Sequence, residues 1–195
     1  CGLMADFIRE GIETADRVIL QVNRNMPRNF SLDTVIHVSE ADRIVEYDDP
    51  LPVFPRTKIT DVERKIGENC ATLVEDGSTI QIGIGSIPDA VCEALKGKKN
   101  LGVHSELISD GIMDLYKSGA ITNLEKSREK RTMVAVFLMG TQELYDFADN
   151  NRALTLRRAA YVNGPFTIGK CSKLVSINTC IEVDLMGQVV SGSSG

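Results

Sequence analysis

The sequence has no tryptophan and only two histidines, and its five cysteines include no Cys-x-x-Cys pair. Zinc and iron–sulfur sites are built from clusters of such ligands, so we expect no metal site. No apolar run is long enough to cross a membrane, and no basic segment followed by an apolar one resembles a signal peptide. The net charge is −5 with dispersed acids, which argues against a nucleic-acid surface. Scattered cysteines favour a reducing compartment, the cytoplasm.

What the chain contains is ordinary for a soluble globular protein: 195 residues, 43% hydrophobic and 25% charged. This length fits one large domain or one and a half smaller ones. Residues 48–55 hold three prolines, which lack an N–H donor and fix the backbone, so we expect an extended connector and a domain boundary there. Because the sequence begins with Cys1 and ends in Ser-Gly-Ser-Ser-Gly, we expect a piece of a longer protein.

Before the connector, four segments have the patterns of regular secondary structure. Apolar residues at three- and four-residue steps predict a helix over about residues 2–15. Short apolar runs predict strands over 18–22 and 35–38, and alternation predicts a third strand over 43–47.

After the connector, short apolar segments alternate with amphipathic ones. Thr60 and Glu63 form a capping box for the first helix, and Gly77 suits its left-handed end. The remaining predicted elements are strands over 78–83, 101–105, 133–138, 174–178 and 181–183, helices from Ser86, Ile112 and Thr141, a short helix within 162–169, and a turn at Met186-Gly187. Ser86 is expected to cap the helix that begins there. Strands that alternate with helices predict an α/β fold, with a mostly parallel sheet and helices on both faces.

A glycine-rich loop, Gly83-Ile84-Gly85-Ser86-Ile87, connects a predicted strand to a helix start, where free N–H groups favour an anion. Glu106 follows about 20 residues later, at the end of the next strand, the place of the acid that holds a ribose hydroxyl in dinucleotide-binding folds. Pro88 stands in place of that motif's third glycine and removes an N–H, so the motif matches only in part. A tight turn that binds no ligand is the simplest alternative.

Glu106 also suits a second chemistry, because open α/β sheets place ligand chemistry at the carboxyl ends of their strands. A carboxylate there can attack an acyl thioester as a covalent nucleophile, and the glycine loop can donate N–H groups to the developing oxyanion. Position alone leaves three interpretations of Glu106 open: a nucleophile, a ribose ligand and a plain acid at a strand end.

Five segments carry a resemblance in chain order. They are Gly-Ile-Gly-Ser-Ile-Pro-Asp-Ala-Val (83–91), Leu-Gly-Val-His-Ser-Glu-Leu-Ile-Ser-Asp-Gly (101–111), Phe-Leu-Met-Gly-Thr (137–141), Leu-Tyr-Asp-Phe (144–147) and Val-Asp-Leu-Met-Gly-Gln-Val (183–189). Together with Met26-Pro27-Arg28 and Ile36 to Glu40, they resemble the acetyl-CoA hydrolase/transferase family, which includes 4-hydroxybutyrate and butyryl-CoA:acetate CoA-transferases.

The resemblance implies two related CoA-transferase-like domains. Residues 1–55 would be the end of the N-terminal domain, and 56–195 a truncated C-terminal, catalytic domain. It implies that Glu106 forms a covalent glutamyl-CoA thioester. It also implies that coenzyme A contacts the loop of Gly83, Ile84, Gly85, Ser86 and Ile87 and, on a later strand, Ile181.

The substrates implied by the resemblance are an acyl-CoA and a small carboxylate, with no permanently bound cofactor. Water would give a hydrolase with the same intermediate, and the acyl group stays open among acetate, butyrate, 4-hydroxybutyrate and succinate. A non-catalytic dinucleotide-binding module or an inactive fragment is the alternative of another class. We expect a homodimer, since most soluble oligomers are symmetric dimers.

Other polar residues receive simpler interpretations. His104 faces the same side of its strand as Glu106 and can orient it, but a packed histidine with a backbone partner is the more common case. Four basic residues in one loop can meet the phosphates of coenzyme A, although such a run is usually solvated. They are Lys126, Arg128, Lys130 and Arg131. We expect Ser109 and Asp110 to cap the helix that follows them.

Overall fold

The computed structural model describes residues 2–192. Cys1 and the end of the terminal Ser-Gly-Ser-Ser-Gly, on which the expectation of a longer protein depends, lie outside the described residues. Before the connector the chain forms α1 (Ile8–Thr14), β1 (Ile19–Val22) and β2 (Arg43–Glu46). The two strands pair in parallel.

Two predictions for this first part are wrong. The predicted helix begins only at Ile8, because Met4 forms a β-bridge with Phe137 and the N–H of Ala5 donates to the carbonyl of Val136 at 2.9 Å. The predicted strand at 35–38 is irregular and leads into a short 3-10 helix, Val38–Glu40. There Glu40 accepts the backbone N–H of His37 at 2.9 Å, and this capping box bends the chain out of an extended path.

After the connector, strands and helices alternate as predicted. The helices are α2 (Asp61–Ala71), α3 (Ser86–Ala94), α4 (Asp110–Lys117), α5 (Gln142–Ala148), α6 (Ala159–Val162) and α7 (Pro165–Ile168). The strands are β3 (Thr79–Ile82), β4 (Gly102–Val103), β5 (Leu107–Ile108), β6 (Met133–Ala135), β7 (Phe137–Leu138), β8 (Leu154–Leu156), β9 (Leu174–Ile177), β10 (Glu182–Val183) and β11 (Val189–Val190).

The strands of this second part form a parallel sheet. Strand β3 pairs with β4 on one side and with β9 on the other. A parallel bridge from His104 to Val134 continues the sheet to β6, which pairs with β8, while β5 pairs with β7. Among the named strands, only the hairpin β10–β11, turned at Gly187, is antiparallel. The predicted α/β class with a mostly parallel sheet is confirmed.

Helices cover both faces of the sheet, also as predicted. Strand β6 and the residue after it show the two faces, because successive side chains of a strand point to opposite sides. Met133 and Ala135 join the main core with α3, α4 and α5. Val134 and Val136 pack instead against α6, with Ala159 and Val162.

Both central strands are interrupted, which the sequence did not predict. The predicted strand at 101–105 ends at Val103 and resumes as β5 only at Leu107, and the strand at 133–138 is broken at Val136. At the break the carbonyl of Glu106 accepts from the N–H groups of Val136 at 2.9 Å and Phe137 at 3.1 Å. Because one carbonyl accepts from two successive N–H groups, the hydrogen-bond register between the two strands shifts by one residue at this point. Glu106 therefore lies outside the regular part of its strand.

The helix starts agree with the predictions in part. Thr60 and Glu63 form the predicted capping box of α2. Gly77 has the predicted left-handed backbone, with a φ of 75°, but it does not end this helix, because α2 already ends at Ala71 with Thr72 as its C-cap. Helix α3 is preceded by Gly85 and not capped by Ser86, because the Ser86 hydroxyl donates to Glu63 instead. Strand β8 is an element that the sequence analysis missed.

Candidate active site

Glu106 lies in the break between β4 and β5, with its side chain exposed to solvent. Its Oε1 accepts a hydrogen bond from Nδ2 of Asn163 at 3.3 Å. Asn163 is the residue that ends α6, 57 positions further along the chain. A carboxylate with one weak donor at its side and solvent in front is free to meet an incoming electrophile.

A cavity of about 290 Å³ opens beside this carboxylate. Its walls come from the carboxyl ends of β3, β4 and β9 and from α6 and α7, the position at which open α/β sheets hold ligands. It is lined by Glu106 together with Gln81, His104, Ser105, Val162, Asn163, Ile168, Leu174, Ser176 and Asn178. The volume is at the small end of the range for ligand sites.

The glycine loop begins beside Glu106. Strands β3 and β4 pair Ile80 with Val103, and the Ser105 hydroxyl donates to the carbonyl of Ile82 at 3.1 Å, two residues further along both strands. That register brings Gly83 next to Glu106. The structure therefore brings together the two features that the sequence analysis singled out.

The loop also offers unpaired backbone donors. The first intrahelical bond of α3 runs from the N–H of Asp89 to the carbonyl of Gly85 at 3.0 Å, so the N–H groups of Ser86 and Ile87 precede the helical ladder. Gly85 has φ 120° and ψ −179°, a region that is essentially restricted to glycine. Ile84 is 46% exposed. The loop borders the cavity but does not line it.

Ile181, expected to contact coenzyme A, lies just before β10 and three residues after Asn178 of the cavity wall. It is 57% exposed, and its N–H donates to the carbonyl of Val190 at 2.8 Å. Its contact with coenzyme A stays a prediction.

His104 is a packed histidine with a backbone partner, as the simpler interpretation expected. It is 2% exposed, and its Nε2 lies 2.9 Å from the carbonyl of Val162. A carbonyl only accepts, so Nε2 carries the proton, and burial holds the pKa of the imidazole below its usual value. His104 fixes Val162, and the next residue, Asn163, reaches Glu106.

A polar network on the cavity wall was missed by the sequence analysis. The Gln81 amide exchanges hydrogen bonds with the Asn178 amide, at 3.1 and 2.9 Å, and Asn178 also donates to Ser176 at 2.9 Å. The available signal was Gln81 itself, a polar residue between the buried Ile80 and Ile82.

The basic loop is not uniformly solvated. Lys126 is only 2% exposed, donates from Nζ to the carbonyl of Thr132 at 2.6 Å, and burial lowers its pKa to about 8. For this residue the solvated interpretation is wrong, because its aliphatic stem packs over Gly102. Arg128 is half-buried and donates to the Tyr161 hydroxyl at 3.1 Å. Lys130 and Arg131 are exposed, as expected.

Asp110 caps a different helix from the one predicted. Its carboxylate accepts from the N–H of Thr141 at 2.9 Å and from the Thr141 hydroxyl at 2.5 Å, and Thr141 precedes α5. Ser109 stands at the start of α4, but its side chain makes no capping bond. This contact holds Thr141 close to the end of β5.

Two further findings concern residues 2–192 alone. In this range no three or more His, Cys, Asp or Glu side chains are grouped so that they could hold a metal ion. Within the same range, no helix combines the length and the apolar character that a membrane span requires.

Family models match both ends of the chain. The model described as the acetyl-CoA hydrolase/transferase N-terminal domain matches residues 1–55, and the C-terminal domain of the same name matches residues 140–195. The chain is 52% identical to the 4-hydroxybutyrate coenzyme A transferase of Clostridium kluyveri over 194 residues, which are 100% of this chain and 45% of that protein. It is 45% identical to the succinyl-CoA:cyclohexane-1-carboxylate CoA transferase of Geobacter metallireducens, over 100% of this chain and 44% of the relative.

A solved structure shows the same fold. The crystal structure of 4-hydroxybutyrate CoA-transferase from Porphyromonas gingivalis superposes with a TM-score of 0.93 at 40% identity, covering 96% of this chain and 48% of that one. An acetyl-CoA hydrolase from Kluyveromyces lactis is more distant, 32% identical over 62% of the chain. The chain thus spans about half the length of the curated relatives that it matches.

Proposed function

The chain belongs to the acetyl-CoA hydrolase/transferase family, and on that premise we propose that it transfers coenzyme A between a short-chain acyl-CoA and a free carboxylate through Glu106. The observation that carries the proposal is the position of Glu106: exposed at a strand break, beside a cavity, with the glycine loop next to it. The names of the relatives at 52% and 45% identity support transfer of coenzyme A.

The first half of the reaction forms a thioester on the enzyme. The Glu106 carboxylate attacks the thioester carbonyl of the acyl-CoA, the C–S bond breaks, and the coenzyme A thiolate leaves a mixed anhydride behind. The thiolate then attacks the side-chain carbonyl carbon of Glu106, and the acyl group departs as its carboxylate. One negative charge is present throughout, so neither step needs a proton donor.

The second half reverses the first with a different acid. The incoming carboxylate attacks the side-chain carbonyl of the glutamyl-CoA thioester and releases the thiolate, which then attacks the new acyl carbonyl. A new acyl-CoA departs and the Glu106 carboxylate is restored. Each half passes through tetrahedral oxyanions, and the kinetics are ping-pong.

We assign supporting roles to the neighbours of Glu106. The N–H groups of the loop Gly83 to Ile87 would stabilise the oxyanions, because donors fixed in advance cost no reorganisation during reaction. Asn163 would orient the carboxylate, since it donates to Oε1 at 3.3 Å. Ile181, which is exposed three residues after Asn178 of the cavity wall, would contact coenzyme A.

The same proposal extends to the organisation of the chain. Residues 1–55 would be the end of an N-terminal CoA-transferase domain and 56–195 most of the catalytic one, with the connector between them. We further propose a cytoplasmic homodimer that uses coenzyme A as substrate and keeps no cofactor.

Transfer is favoured over hydrolysis by the relatives, since the two at 52% and 45% identity are named transferases, whereas a relative named acetyl-CoA hydrolase is 32% identical over 62% of the chain. The acyl group is a separate question, because relatives of similar rank are named for different acids. 4-Hydroxybutyrate is the first acid to test, followed by acetate, butyrate and succinate.

The test is to trap the intermediate. The chain is incubated with an acyl-CoA, reduced with borohydride, digested and analysed by mass spectrometry, and Glu106→Gln is treated in parallel. We expect the Glu106 peptide alone to show its carboxylate reduced to an alcohol, because borohydride reduces thioesters and not carboxylates. An acyl-CoA-treated chain in which Glu106 stays unmodified while nicotinamide dinucleotide binds tightly would support the dinucleotide-binding alternative instead.

A further inference from the structure

Arg56, the residue that follows the connector, contacts carboxylates of two helices. Its Nη1 and Nη2 contact the two oxygens of Asp114 at 2.5 and 3.2 Å, a bidentate pair. Nη2 also lies 3.6 Å from Asp110 of the same helix, α4, and 3.5 Å from Glu143 of α5. These carboxylates raise the pKa of the guanidinium above its ordinary value, so the residue is a permanent cation.

Asp110 is the buried member of this group, at 6% exposure. Besides Arg56 it accepts both hydrogen bonds from Thr141. A side chain at Gly140 would collide with the Asp110 carboxylate, so glycine is required next to Thr141 for the contact to form. Asp110 therefore has two partners: the guanidinium of Arg56, and Thr141 at the start of α5, which donates two hydrogen bonds to it.

Asp110 lies near other carboxylates as well as near Arg56. Asp89 of α3 accepts the N–H of Gly111 and faces Asp110 and Asp114, and burial together with those carboxylates raises its pKa to about 6. Lys117 neutralises Glu143 at 2.7 Å. The other charged groups around the adjoining cavity of about 370 Å³ are Lys58, Arg64, Glu93 and Lys96, of which Arg64 pairs with Glu93 at 3.0 Å. Arg56 is thus the cation that contacts Asp110 directly.

The segment from Glu106 to Asp110 is hydrogen-bonded to the neighbouring segment at three places. The carbonyl of Glu106 accepts from Val136 at 2.9 Å, and the carbonyl of Ile108 accepts from Met139 at 3.2 Å. The third point is the pair of bonds from Thr141 to Asp110. The third contact involves the Asp110 carboxylate, so its contribution to stability depends on the charges around that group.

We propose that Arg56 and Asp110 are positioning residues for Glu106: the Arg56 guanidinium keeps Asp110 hydrogen-bonded to Thr141, and this contact fixes the strand break from which the nucleophile projects. The inference rests on the proposed function of Glu106. Without Arg56, the carboxylates of Asp89, Asp110 and Asp114 repel one another, and Asp110 is left buried without its cation. The segment from Glu106 to Asp110 then loosens, and a misplacement of about 1 Å can cost a reaction on the order of 100-fold.

The kinetic test compares Arg56→Gln with Arg64→Gln, an arginine of the same cavity that contacts Glu93 and not Asp110. The rate of borohydride-trapped thioester formation is measured at several pH values, from below 6, about the pKa of Asp89 with Arg56 present, to well above it. Because Arg56 lowers the pKa of Asp89, removing Arg56 moves the titration of Asp89 to higher pH. At the high end of this range we expect Arg56→Gln to slow the reaction about 10-fold or more. The loss should be smaller at the low end, where Asp89 is protonated and repels less, and Asp89→Asn in the Arg56→Gln background should restore much of the rate. Arg64→Gln should behave as wild type.

A second measurement does not depend on activity. Amide hydrogen exchange at Val136, Phe137 and Met139 reports whether the fastened segment opens. We expect faster exchange in Arg56→Gln and in Thr141→Val, which loses the hydroxyl donor to Asp110, and near-wild-type exchange in Thr141→Ser and Arg64→Gln. Because Thr141→Val conserves shape, it keeps the test available if Arg56→Gln fails to fold.

The outcomes separate the two proposals. Unchanged exchange in Arg56→Gln and Thr141→Val would overturn the inference, whatever the activity. Faster exchange with an unchanged thioester rate and pH profile would also overturn it, because the contact would then hold the fold without positioning Glu106. A wild-type chain that forms no thioester at all would refute the proposed function, while the exchange data would still decide whether Arg56 holds the segment of Glu106.

Discussion

Replacing Lys126 by methionine is expected to stabilise the protein at neutral pH. Lys126 is 2% exposed, and its ammonium group donates to one carbonyl, that of Thr132. Burial lowers the pKa of Lys126 from 10.5 to about 8, with Glu129 opposing the effect. Methionine retains the unbranched stem that packs over Gly102 and removes the charge.

The magnitude follows from the pKa difference. One pKa unit corresponds to about 1.4 kcal/mol, so the lowering from 10.5 to about 8 costs the folded state about 3 kcal/mol at neutral pH. Between those two pH values the unfolded chain keeps a proton that the folded chain has lost, so the contribution of Lys126 to the free energy of unfolding rises with pH. Methionine leaves the Thr132 carbonyl unpaired, which costs about 1 kcal/mol.

The assay is urea unfolding of the wild type and Lys126→Met at neutral pH and near pH 10.5. We expect the variant to be more stable by about 2 kcal/mol at neutral pH and less stable by about 1 kcal/mol at the high pH. Lys130→Met, at an exposed position of the same loop, should differ little from wild type at both. A stability difference for Lys126→Met that is the same at the two pH values would refute the argument.

Three further substitutions test the site. Gly85→Ala should destabilise the chain by about 1–3 kcal/mol in urea unfolding and slow thioester formation, because φ 120° strains any side chain, whereas Gly97→Ala, with no atom near the added methyl, should not. Asn163→Ala should slow thioester formation about 10-fold without changing stability, because the Glu106 carboxylate loses the donor that orients it. An unchanged rate would show that Asn163 has no role in the site. His104→Phe should destabilise by about 1–3 kcal/mol, because the Val162 carbonyl loses its donor, and should also slow thioester formation through Asn163.

The local rules predicted much of the fold. The Thr60–Glu63 capping box, the left-handed Gly77 and the apolar segment at 133–138 each depend on neighbouring residues, and the structure contains all three. The predictions failed where a distant or competing partner decided the conformation. The Ser86 hydroxyl has Glu63 as its partner, and Asp110 has Thr141, 31 positions away.

The candidate site was predictable to a similar degree. Glu106 and the glycine loop are visible because ordered motifs contain them, and the parallel register brings them together. Asn163 and Asn178 were not predictable, because each reaches the cavity only after the chain returns from another part of the sheet. The burial of Lys126 was also not predictable, because Gly102, over which its side chain packs, lies in β4, far from the basic loop in sequence.

The most direct test of a covalent role for Glu106 is to follow oxygen during turnover. An acyl-CoA is mixed with a carboxylate substrate labelled with heavy oxygen, and the peptide that contains Glu106 is weighed. Attack of the incoming carboxylate on the glutamyl-CoA thioester leaves one of its oxygens on the Glu106 side chain, so we expect heavy oxygen in this peptide and in no other. Formation of the new acyl-CoA without any label on Glu106 would contradict the account.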